Sequence, residues 1–223
     1  MPEKIVEYID LLGYGCVRLP KFQHLDAPVS SHPDMLISVL KDNTLLVDGR
    51  YYTENEELFS GCGAKFKISS ARLEKKYPQD IAFDALSFKG AVYGRTDFIA
   101  KEILDDNNRA VNVKQGYALC STLVTDRCVV TADEGIYNAL INDGADILRI
   151  LDGGIELSGY SCGFIGGASA YDPDSLQVIF FGDISLHPNG AKIVDFLKNH
   201  GLRVRSFDGV PLTDLGGAKL VSI

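Results

Sequence analysis

An apolar helix, a glycine stop and an apolar strand follow one another three times in this chain. Ile5-Val-Glu-Tyr-Ile-Asp-Leu-Leu-Gly13 leads into Cys16-Val-Arg-Leu19. Ile136-Tyr-Asn-Ala-Leu-Ile-Asn-Asp-Gly144 leads into Ile147-Leu-Arg-Ile150, and Ile193-Val-Asp-Phe-Leu-Lys-Asn-His-Gly201 leads into Val204-Arg-Ser-Phe207. Apolar residues at i, i+3 or i+4 give each helix one buried face. Each glycine falls where a left-handed C-cap belongs. The interval from the opening isoleucine to the glycine is the same in all three, which marks them as copies of one unit.

A pair of short strands precedes two of these helices. In the clearest copy Tyr117–Val124 turns at residues 125–127 into Cys128–Thr131, so the unit reads strand, strand, helix, strand. A second copy runs from Ser161 through Phe180-Phe181 to Phe207. A third runs from Val29 through Leu45-Leu46-Val47, a weak helix at Glu54–Phe59 and a strand at Lys65–Ser69. A fourth, degraded copy spans Phe83–Val113, with Phe98–Leu104 as its helix. The fifth is split between the ends: Val210–Ile223 supplies opening strands, and the N-terminal segment supplies the helix and last strand. The predicted fold is α/β, a five-module ββαβ α/β-propeller with pseudo-fivefold symmetry. It forms a single domain over residues 1–223, and the two termini close the fifth module, which removes an exposed sheet edge.

Composition narrows the function classes. The 223 residues are 46% hydrophobic and 23% charged, and no apolar run approaches the ~20 residues of a membrane span. No signal-peptide core follows the N-terminus. The expectation is a cytoplasmic protein with no membrane association. A net charge of −8, with lysines and arginines scattered, argues against direct nucleic-acid binding. The five cysteines (16, 62, 120, 128, 162) form no CxxC pair, so neither a zinc knuckle nor a disulfide framework is indicated; no metal and no cofactor is expected.

A ring of five ββαβ units resembles the pentein fold, the fold of guanidino-group-modifying enzymes: arginine and agmatine deiminases, dimethylarginine dimethylaminohydrolases and amidinotransferases. Cys162-Gly-Phe-Ile-Gly-Gly-Ala-Ser169, Phe180-Phe-Gly-Asp-Ile-Ser-Leu-His-Pro188 and Leu212-Thr-Asp-Leu-Gly-Gly217 look like a separate branch of that superfamily. The resemblance implies a nucleophilic cysteine in a Gly-rich final strand, assisted by a histidine and by acids that hold the guanidinium. The matching stretch, Asp214-Leu-Gly-Gly-Ala-Lys-Leu-Val-Ser222, keeps the glycines and lacks the cysteine.

The candidate site residues follow from the module pattern. Cys120 and Cys162 lie on module-opening strands, which in the resembled fold point toward the central channel. Either is a candidate relocated nucleophile or a small buried hydrophobe. His32 and Asp34 sit on the opening strand of the Val29 module, two residues apart and so on one face. They can move protons, hold a cation or contribute to a metal site, or simply form a hydrogen-bonded turn with Pro33 between them. Asp214 precedes the last glycines and can anchor a cation. Gly216 and Gly217 suit a close backbone approach near the axis. Gly166, Gly167 and Asp183 are candidate ligand contacts. Asp48, Asp97, Asp133 and Asp183 recur where the second strand hands over to the helix, which N-capping explains. The reading is a pentein-fold protein that binds a small polar or cationic ligand, or a protein partner, at the ring centre without the standard cysteine chemistry. The alternative is a guanidino- or amidine-modifying enzyme with Cys120 or Cys162 as nucleophile.

Overall fold

The computed structural model describes residues 1–221. Helix α1 (Glu3–Leu11) comes first, followed by a long irregular stretch and a single helical turn, α2 (Pro33–Leu36). The first sheet then forms from β1 (Ile37–Val39), β2 (Leu45–Asp48) and β3 (Phe66–Ser69), with α3 (Gly49–Glu54) and α4 (Glu56–Gly61) between β2 and β3. The second contains β4 (Leu86–Phe88), β5 (Ala91–Gly94), α5 (Lys101–Asp106) and β6 (Arg109–Asn112). The third contains β7 (Thr122–Val124), β8 (Val129–Thr131), α6 (Glu134–Asn142) and β9 (Ile147–Arg149). The fourth contains β10 (Ser169–Asp172), β11 (Gln177–Phe180), α7 (Gly190–Asn199) and β12 (Arg203–Arg205). In every sheet the first two strands pair antiparallel and the last two pair parallel.

The middle strands β2, β5, β8 and β11 are buried along their whole length. Burial on both faces explains why they read as short apolar runs rather than alternating ones. Leu46, Val47, Val92, Val130, Val178 and Phe180 are fully buried, each worth about 1.5–3 kcal/mol relative to exposure. The glycines that stop the three copied helices all have positive φ: Gly13 at 90°, Gly144 at 74° and Gly201 at 72°. The C-cap expectation holds at each. Helix α1 packs through Ile5 and Ile9 against Ile179, Phe181 and Phe207, in a cluster that also takes in Leu215 and Ala218.

Several expected strands do not form. Cys16–Leu19 is irregular, and residues 210–221 contribute only an isolated bridge between Glu156 and Thr213. No fifth three-stranded sheet is therefore present among the described residues. The physical reason is that Cys16–Leu19 has no neighbouring ladder to extend. Ser222 and Ile223 of the expected terminal strands lie outside the described residues. The opening strands are also shorter than expected. Tyr117–Ser121 is a turn, and β7 begins only at Thr122. His32 and Asp34 stand on the α2 turn rather than on a strand, since Pro33 supplies the first helical position that its fixed φ suits. Among the described residues no helix is long and apolar enough to cross a membrane.

Candidate functional site

The turns that precede the sheets, not the strands, bring the buried titratable side chains together. Asp34 lies on α2, Asp84 just before β4 and Cys120 just before β7; all three are buried. One ligating atom from each lies within 4.8 Å of the others. Asp214, from the C-terminal segment, joins them: Cys120 Sγ approaches its Oδ2 at 3.6 Å and its Oδ1 at 3.9 Å. His32 completes the group, with Nδ1 3.7 Å from Asp214 Oδ1.

The three carboxylates differ in how they are held. Asp214 accepts from the Phe164 amide at 2.9 Å and from the Gly216 amide at 3.0 Å. Asp84 Oδ1 accepts from the Leu119 amide at 2.8 Å and the Cys120 amide at 2.9 Å, which fixes the turn carrying the thiol. Its Oδ2 has no partner. Asp34, 2% exposed, has neither side-chain oxygen hydrogen-bonded. A buried carboxylate without donors from the fold is costly, and such a group calls for a specific cause: strain, a functional role, or a bound partner.

Glycines let these segments meet. A β-carbon on Gly167 would come within 2.0 Å of Asp214 Oδ1, and one on Gly166 within 2.4 Å of the Leu119 and Thr122 carbonyl oxygens. Gly216, at φ 76°, lies so close to His32 that a β-carbon would meet His32 Cβ at 2.4 Å. The amide of Asp34 donates to the Gly216 carbonyl at 3.0 Å, tying α2 to the C-terminal segment.

Electrostatics follow from crowding. Burial first, and then the charge of Asp34, push the carboxyls of Asp84 and Asp214 upward. Burial, reinforced by Asp34, Asp214 and Asp84, pushes the Cys120 thiol well up. That thiol is thus the opposite of an activated one, which needs a positive surrounding. Lys219 is the counterweight. Burial lowers its pKa, while Asp34, Asp84 and Cys120 act against that fall. Lys219 and Asp34 line one cavity of about 100 Å³, with Gly216, Gly217, Thr122 and Ser169. Lys219 makes no hydrogen bond or close ion pair with the described residues.

The structure therefore brings together His32, Asp34, Cys120 and Asp214, with Gly166 and Gly167 packed around them. Cys162 is half-buried and stands outside the group. Asp183 is also outside: its oxygens accept from Ser185 and from the Gly209 amide, capping a single helical turn. Asp48 and Asp133 cap α3 and α6 as expected. Asp97 does not cap, because α5 begins later, after Ala100. Sequence reasoning missed Asp84 and Lys219. Asp84 had a signal, as a lone acid within the apolar run Ile81-Ala82-Phe83-Asp84-Ala85-Leu86.

Chemically, three carboxylates, a histidine and a thiol in a buried space suit a cation. Asp34, Asp84 and Cys120 are also the residues able to ligate a divalent metal, although the Lys219 charge facing them opposes a doubly charged ion.

Comparison with solved structures places the architecture. The chain superposes on a dimethylarginine dimethylaminohydrolase, solved as an adduct with 4-chloro-2-hydroxymethylpyridine. The TM-score is 0.54 at 14% identity, covering 92% of this chain and 84% of that one. It superposes on SxtG, an amidinotransferase of the saxitoxin pathway from Microseira wollei, with a TM-score of 0.50 at 14% identity, covering 100% and 87%. The fold is pentein-like α/β. Within that class, residues 1–218 match a family described as of unknown function, DUF6873, and the chain belongs to it. No curated protein is a detectable sequence relative.

Proposed function

We propose that this protein binds a small organic cation, an amine or guanidino compound, at the buried meeting point of Asp34, Asp84, Cys120 and Asp214. The five-module ring, with the chain ends supplying its fifth part, is the frame we propose for that site. The observation that carries the reading is Asp34: a buried carboxylate with no N–H or O–H donor to either oxygen and only the weakly donating Cys120 thiol nearby, beside a second carboxylate with a free oxygen. A planar guanidinium or an ammonium offers several N–H donors to such a pair. The likeness to the hydrolase and the amidinotransferase agrees with a guanidino ligand.

The same geometry weighs against cysteine chemistry in the free protein, since the acids around Cys120 disfavour its thiolate. A cationic ligand would relieve that penalty, so a Cys120-based reaction remains the second reading, with His32 moving protons.

The test is a thermal-shift series with methylguanidinium, agmatine, arginine, methylated arginines and simple amines. Ligand at 100 times its Kd adds about 2.7 kcal/mol to stability. Stabilisation by a guanidino compound or amine, lost in Asp34→Asn, supports the reading. Absence of a shift with every cation contradicts it.

A further inference from the structure

We propose that Lys219 is a built-in occupant of the cation site, and that a ligand enters by displacing its ammonium from the Asp34 side of the cavity. This rests on the cation-site reading above.

The argument begins with placement. Lys219 follows Gly216 and Gly217, whose φ values of 76° and 70° turn the C-terminal segment back across the site. The side chain then shares the cavity with Asp34, and its charge is felt by Asp34, Asp84 and Cys120. Asp34, Asp84 and Asp214 gather three carboxyls in one buried cluster, where burial and mutual repulsion make their joint ionisation costly unless a cation is present. His32 lies beside Asp214, its Nδ1 3.7 Å from Oδ1. A lone buried ammonium is as unfavourable as a lone buried carboxylate, and bringing opposite charges into one space lessens both costs.

The fit is loose, which is why the lysine reads as a displaceable occupant. No close ion pair locks Lys219 to either acid, and Asp34 stays without a donor. The cavity of about 100 Å³ corresponds to roughly three water molecules at ~30 Å³ each. Lys219 is half-buried as a residue while its ammonium is buried, and the proposed exit relies on the flexibility of its four-carbon stem. A planar guanidinium, with five donors, satisfies Asp34 and Asp84 better than a single ammonium at a distance.

The experiment compares n-butylammonium, which copies the lysine side chain, with neutral 1-butanol. Both are titrated against the wild-type protein, Lys219→Ala and Lys219→Met. Lys219→Ala is expected to bind n-butylammonium at least ~10-fold more tightly than wild type, because an occupant that leaves the site free less than about a tenth of the time weakens apparent affinity by that factor. It is expected to show no response to 1-butanol. Lys219→Met keeps the apolar stem and covers the case in which the alanine variant fails to fold; it should bind methylguanidinium more tightly than wild type. In the unmutated protein, saturating methylguanidinium should increase acetylation of Lys219 by acetic anhydride, and unchanged labelling overturns the proposal. If wild type binds methylguanidinium and neither variant binds it more tightly, the displaceable lysine is wrong and the cation site stands. If no protein binds either cation, both fall.

Discussion

Cys120 points its thiol at Asp214, with Sγ 3.6 Å from Oδ2 and both side chains buried. A thiol donating toward a carboxylate, with Asp34 and Asp84 also near, is held in its protonated form. Iodoacetamide at pH 8 should leave Cys120 unmodified in the folded protein while exposed Cys16, whose thiol is also pushed upward by burial and by Asp10, reacts slowly. Peptide mass analysis distinguishes them. Rapid alkylation of Cys120 at pH 6 would instead favour a catalytic thiol, and Cys120→Ser would then abolish turnover.

Gly216 against His32 gives a stability test. A β-carbon at Gly216 meets His32 Cβ at 2.4 Å and Cα at 2.6 Å, on a backbone with φ 76°. Gly216→Ala should therefore combine left-handed strain of about 1–2 kcal/mol with an overpacking cost of about 1–3 kcal/mol. Gly13→Ala is the control: φ is 90° and nothing lies within 4 Å of the added carbon. It should lose only the strain component. Equal losses in urea titrations of the two variants would show that the His32 approach is not tight.

The pH dependence of stability should carry the signature of Asp84 and Asp214. Their folded pKa values are raised, so their contribution is fully present below the unfolded pKa of about 3.9 and fades as pH climbs through the raised values. Asp84→Asn retains an oxygen for the Leu119 and Cys120 amides and removes the charge. It should raise Tm by a few degrees at pH 7, with ~2–4 °C per kcal/mol for a chain of this size, and bring little gain near pH 4. A gain independent of pH would assign the effect to packing instead.

Unpartnered oxygens make a similar prediction for Asp34. Asp34→Asn removes a buried carboxyl whose oxygens accept nothing and leaves Asp84 facing Lys219, so the ligand-free variant should melt no lower than wild type while losing ligand response. Such a trade is expected where a site is built for a ligand rather than for stability. A lower Tm would indicate that Asp34 is structural.

The sheets were legible because their signals are local. Glycines 13, 144 and 201 end helices through their own backbone freedom, and β2, β5, β8 and β11 are built on short apolar runs with a polar residue only at an end. The site was only half legible. His32, Asp34, Cys120 and Asp214 stood out from the module pattern, whereas Asp84 and Lys219 did not, since residues this far apart in sequence share no spacing motif. The expectation that the site residues ride on strands missed how Asp84 captures the amides of Leu119 and Cys120 and turns that segment before β7 starts. Cys16–Leu19 misled for the converse reason: it has strand composition, yet no ladder to join.

Isothermal titration of methylguanidinium into wild type and Asp34→Asn tests the central claim most directly. Binding to wild type, weakened at least ~10-fold in the variant, a loss of about 1.4 kcal/mol or more, is the predicted result. Binding of equal strength to both proteins, or to neither, would contradict a cation site built on Asp34.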